Sequence, residues 1–134
     1  MKFISRTSAA LSLTLVLLGG CASMSAGPVK VADGVLVGPN GMTLYTFDND
    51  VSGSGKSVCN GPCASNWPPL MATGSDKASQ GYSIITRDDG TMQWAVKGKP
   101  LYYWLKDTKP GDKTGDGVNK VWRTAKPMSA TSSY

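Results

Sequence analysis

Two cysteines four positions apart, Cys59 and Cys63, and nine acids that are all Asp are the reactive side chains of a chain that has neither His nor Glu. A thiol pair at this spacing has three chemistries open to it. It can close a local disulfide, exchange it with another thiol, or hold Cu(I), which accepts Cys and Met, and Met71 is nearby. The spacing is one residue longer than the Cys-x-x-Cys of thioredoxin-like sites, and no βαβ pattern surrounds it. In an oxidising compartment the expected state is a structural disulfide, which over so short a loop fixes local geometry more than global stability.

The missing residues narrow the chemistry further. Ser-His-Asp and Cys-His nucleophiles need an imidazole base, and zinc hydrolase sites built on His fail for the same reason. What remains for acid-base work is Asp, Lys, Tyr and Cys, so the chain is expected not to be an enzyme and to carry no cofactor. Two acidic loops, Asp48-x-Asp50-x-Ser52-Gly53 and Asp112-x-Thr114-x-Asp116-Gly117, match the first half of a calcium loop. Position twelve falls on Cys59 and Arg123, so neither has the bidentate Glu, and both are expected to be solvated turns with no metal.

These groups sit on a repeating frame. Leu44-Tyr45-Thr46-Phe47-Asp48-Asn49-Asp50 and Leu101-Tyr102-Tyr103-Trp104-Leu105-Lys106-Asp107 both read Leu-Tyr-x-aromatic-x-x-Asp, 57 positions apart. Gly41 and Gly98 share that offset, Asp33-Gly34 and Asp89-Gly90 stand 56 apart, and Trp67 and Trp122 stand 55 apart. Landmarks in one order at nearly one spacing indicate an internal duplication. In an extended strand Tyr45 and Phe47 share a face, as do Tyr102 and Trp104, and the expected role of that face is core. Asp50 and Asp107 would then cap the following loops by accepting backbone N–H bonds. The alternative is an exposed aromatic platform for a sugar or quinone-like ligand.

The doubled frame resembles the bacterial family of predicted lipoproteins named for the Tyr-x-(Phe/Trp/Tyr)-x-x-Asp motif, whose domain is a secreted repeat of unknown function. The likeness extends to Cys59-x-x-x-Cys63 followed by Trp67-Pro68-Pro69. It implies secretion and lipidation, and it implies no activity and no catalytic residues.

The N-terminus supports that expectation on its own. Lys2 and Arg6 precede a short apolar run from Ala9 to Leu18, too short for a membrane span of about 20 residues, so residues 1–20 read as a signal peptide. Leu18-Gly19-Gly20-Cys21 resembles a lipobox, which marks Cys21 for acylation with two or three chains and a stable membrane anchor. Ala22, not Asp, follows, which in a Gram-negative cell directs the protein to the outer membrane, facing the periplasm. Residues 21–27 are a small, polar tether and residues 128–134 a polar tail. Removing Lys2 and Arg6 with the signal leaves 12 basic and 9 acidic residues, too mild and scattered a charge for a nucleic-acid partner. The expected partners are the membrane, through the anchor, and an envelope protein or small ligand.

Short alternating runs between Gly turns give the elements. Strands are expected at Val29–Ala32, Val35–Val37 and Thr43–Phe47, and again at Tyr82–Arg87, Thr91–Val96 and Pro100–Leu105. Asp33-Gly34 and Asn40-Gly41 suit tight type I′ turns, and Pro62 suits the first turn of a short helix stopped by Pro68-Pro69. The expected fold is all-β, with two duplicated three-stranded meanders, units about 28–70 and 81–127, packed as a small sandwich or barrel. The function expected is that of a lipid-anchored envelope module for binding or structural interaction. The alternative is a periplasmic thiol-redox or copper-handling protein using Cys59 and Cys63.

Overall fold

The structure, a computed structural model, describes residues 28–79 and 81–128. The signal peptide, Cys21, the tether and residues 129–134 lie outside these residues. Among the described residues no helix is long and apolar enough to cross a membrane.

The chain forms several small antiparallel sheets. Strands β1 (Lys30–Ala32) and β2 (Val35–Val37) make a hairpin. Its Asp33 and Gly34 both have positive φ, as a type I′ turn requires. Strand β3 (Tyr45–Phe47) follows, then a five-residue helix α1 (Pro62–Asn66) and strand β4 (Met71–Ala72). The second half gives β5 (Tyr82–Thr86), β6 (Met92–Val96), β7 (Lys99–Pro100) and β8 (Trp122–Thr124). Pro62 occupies the first turn of α1, and Cys59 and Cys63, bridged with a Cα separation of 5.2 Å, join the helix to the loop before it.

The expected all-β character with one short helix beside the cysteines is what the chain adopts, but three details differ. No closed barrel forms, the first meander is incomplete, and the expected strand Pro100–Leu105 shrinks to the two-residue β7, beyond which only Tyr102 makes isolated bridges, to Tyr45 and Pro69. The residues just before β3 meet β2 through the Val37–Thr43 bridge and the bond from Leu44 N–H to Leu36 C=O, while β3 itself pairs along its length with β8, Phe47 opposite Trp122 and Tyr45 opposite Thr124. β4, from the first repeat, pairs with β6 of the second, which also carries β5 and β7. Two separate meanders would each leave an apolar face wet; interleaving their strands covers both faces. The turns differ too. Lys97 and Gly98 share the positive-φ pair of the first hairpin, whereas at Asn40-Gly41 and Asp89-Gly90 only the glycine is left-handed.

The core consequently has no single-repeat part. One cluster joins Leu36, Leu44 and Leu70 to Trp94, Val96, Leu101 and Ala125; the other joins Tyr45, Phe47, Cys59 and Trp67 to Tyr102 and Trp122. Backbone bonds cross in the same way, from Leu36 N–H to Ala125 C=O and from Ala125 N–H to Leu44 C=O.

Candidate functional site

The two motif tyrosines lie side by side, forming a bridge in which each backbone N–H donates to the other's carbonyl, at 2.8 and 3.0 Å. Their side chains cross over. The Tyr45 hydroxyl donates to Asp107 Oδ2 and the Tyr102 hydroxyl to Asp50 Oδ2, both at 2.5 Å, so each repeat's tyrosine is bound by the other repeat's aspartate. The second oxygen of each carboxylate closes its own loop: Asp50 Oδ1 accepts the Val58 N–H, and Asp107 Oδ1 accepts both the N–H and the hydroxyl of Thr114. All four residues are buried. Charge-assisted bonds of this kind are the strong class.

Burial and the bond to the facing carboxylate push both phenols far above their ordinary pKa. Burial also raises Asp50, against the opposing pull of the Tyr102 hydroxyl, the Val58 N–H and the nearby Lys99 and Arg87 charges.

The aromatic partners cross over as well. Phe47 stacks on Trp122 (4.3 Å), Trp122 on Trp67 (3.7 Å, 4° between planes) and Trp67 on Trp104 (4.0 Å), giving one column of four rings. Tyr45 meets Trp67 edge-on, and Tyr102 meets Trp122 likewise. Such pairs contribute roughly 0.5–1.5 kcal/mol each beyond area burial. Phe47 and the two central indoles are buried, which removes them as a ligand platform, whereas Trp104 at the end of the column is half-buried.

Several members of the site carry no motif. Arg87 is buried and donates to Ser57 Oγ, Gln93 Oε1, Asn60 Oδ1 and the Cys59 carbonyl, all neutral acceptors. Ser57 Oγ also lies 2.6 Å from the Tyr102 hydroxyl, whose one proton goes to Asp50. Ser57 must therefore be the donor to Tyr102. Donors run in one direction from the guanidinium through Ser57 and Tyr102 to the Asp50 carboxylate, which links the two buried opposite charges through hydroxyls. Lys99 adds a second cation, donating to the carbonyls of Phe47 and Asp50. Nothing in the sequence flagged Arg87, which closes the expected strand Tyr82–Arg87 beside the acidic pair Asp88-Asp89 and so reads as an exposed strand end.

The acidic loops are closed by local bonds. Asp48 pairs with Arg123 at 2.9 Å, and Asp112 Oδ2 accepts from the Thr108 and Lys109 N–H groups. Asp116 accepts the Thr124 N–H. Among the described residues no group of three Cys or Asp side chains is placed to hold a metal ion.

Neither a curated protein nor a solved structure matches the chain. One family matches it twice, over residues 27–71 and 83–126, with an interval that falls between the two halves of the structure. Together these spans cover more than half of the sequence, and the chain belongs to the family described as a secreted repeat of unknown function.

Proposed function

We propose that this secreted repeat is a lipid-anchored module of the cell envelope that works by binding or structural interaction, not by catalysis. The observation that carries the reading is how the motif uses its polar groups. Tyr45, Tyr102, Asp50 and Asp107 bond to one another and to their own loops inside the core, so the duplicated motif builds a scaffold and offers no free nucleophile or base. A rigid scaffold leaves recognition to its loops and clefts. Cys59, the buried member of the disulfide, is packed among the aromatic rings, which favours a staple over an exchanging or copper-binding pair.

Anchoring through Cys21 follows from the lipobox-like Leu18-Gly19-Gly20-Cys21 and would place the module on a membrane, the outer one in a Gram-negative cell. The test is membrane fractionation of the wild-type and Cys21→Ser chains, with in vivo cross-linking of whichever fraction holds the protein. Transfer of the variant to the soluble fraction, with discrete cross-linked adducts of the wild type, supports the reading. Equal fractionation of the two chains, or two cysteines labelled by alkylation without reductant, refutes it.

A further inference from the structure

We propose that the cleft beside Trp104 binds a small organic cation, an ammonium group carried on a compact head, between the open indole face and the Asp107 carboxylate. The cleft measures about 160 Å³ and is lined by Asn40, Met42, Thr43, Tyr103, Trp104 and Asp107. It combines aromatic and thioether walls with one buried carboxylate, the composition that suits an alkylated ammonium.

Three observations converge there. Trp67 covers one face of the Trp104 indole, and a cation already stands over the ring, the Lys106 ammonium at 5.8 Å from its centre. That distance is near the outer limit for a cation–π contact, and Lys106 is exposed and does not line the cleft, so it covers the indole only loosely and a better-fitting cation competes with it for the ring. The two repeats also differ in charge. Lys99 donates to the Asp50 carbonyl and Arg87 reaches the Asp50 carboxylate through the Ser57 and Tyr102 hydroxyls, whereas the hydrogen bonds to the Asp107 carboxylate come only from the Tyr45 hydroxyl and the Thr114 donors. Among the described residues the one ion pair is Arg123 with Asp48, which leaves Asp107 a buried carboxylate with no cation bonded to it. The positions also differ in access. Phe47, which occupies the Trp104 position of the first repeat, is buried, while Trp104 is half-buried at the cleft.

This inference names a ligand class for the binding reading above and rests on it. The two fail separately, since loss of the site leaves fractionation and cross-linking unchanged. The probe is choline, titrated into the mature Cys21→Ser chain while the Trp104 indole N–H resonance is followed, against its neutral carbon isostere dimethylbutanol. Saturable binding is expected, with choline preferred by about tenfold or more over the isostere. Lys106→Ala, a change on the surface, is expected to tighten choline binding severalfold by removing the internal competitor. Asp107→Asn is expected to weaken it by about tenfold. Sedimentation with phosphatidylcholine and phosphatidylethanolamine vesicles separates the sources. Pelleting that free choline reverses assigns a lipid headgroup, and choline binding without pelleting assigns a soluble amine. Equal affinity for dimethylbutanol, no saturation by choline, or a Lys106→Ala chain that binds choline no more tightly than wild type overturns the proposal.

Discussion

The hydroxyl of Tyr45 donates at 2.5 Å to the carboxylate of Asp107, 62 residues further along, and the bond is mirrored by Tyr102 and Asp50. The duplicated motif is thus completed across the repeat boundary and not within either copy. Removing the hydroxyl leaves a buried carboxylate short of a donor, so Tyr45→Phe and Tyr102→Phe are each expected to cost about 1–3 kcal/mol in urea unfolding. A cycle of Tyr45→Phe with Asp107→Asn should be non-additive by more than about 0.5 kcal/mol. Additive losses would show that the pair contributes no coupling.

Burial of the two phenols, together with the same bonds, sets the alkaline limit. Both phenols are raised in the folded chain, so their contribution is fully present below the ordinary tyrosine pKa of about 10 and is lost as pH rises towards the folded values. Above pH 10 each should remove about 1.4 kcal/mol of stability per pH unit. Stability measured from pH 9 to 11 should fall less steeply in either Phe variant than in wild type. Parallel slopes would refute it.

Asp50 acts at the acid end with the same sign. Its folded carboxyl holds a proton to higher pH than the unfolded one, so its contribution is complete below about pH 3.9 and declines as pH rises through the folded value. Relative to Asp50→Asn, the wild type should therefore lose stability between pH 3 and 7. A gap that is flat or moves in favour of wild type would contradict the assignment.

The disulfide closes a loop of only four residues' separation. Chain-entropy reasoning puts its contribution at about 2 kcal/mol, and Cys59→Ala/Cys63→Ala should unfold earlier in urea by that amount while keeping its native near-UV dichroism. Loss of all tertiary signal would make the staple a condition of folding.

The strand faces, the first hairpin and the short helix were legible because each depends on neighbours in sequence. Alternation put Tyr45 with Phe47, Asp33-Gly34 supplied the left-handed pair, and Pro62 with Pro68 bounded α1. The crossover was not legible. Spacing within a repeat shows which side chains share a face, but the strand lying opposite is a non-local choice made by burial. That is why β3 pairs with β8, and why the Trp122 strand, only three residues long after a 3-10 turn with left-handed Asn119 and Lys120, escaped notice. The candidate cleft was hidden for a related reason. Tyr45, Phe47, Tyr102 and Trp104 look equivalent in sequence, and only the end of the ring column distinguishes Trp104.

Gly115 tests whether that column is as tightly held as its distances imply. A Cβ built there would lie 2.8 Å from Trp67 Cη2 and 3.0 Å from Trp104 Cγ, both parts of packed rings and neither the end of a flexible chain. The Gly115 N–H also donates to the Tyr45 hydroxyl, so the backbone has little freedom to retreat. Gly115 does not have a left-handed φ, so Ala brings no backbone strain and its effect is purely one of space. Gly115→Ala should cost about 1–3 kcal/mol, the usual range for overpacking, and should alter the exciton signal of the stacked indoles in the near-ultraviolet. A destabilisation below about 0.5 kcal/mol with an unchanged spectrum would mean that the Trp67–Trp104 end of the column is loosely packed, and that Trp104 is free to move without its neighbour.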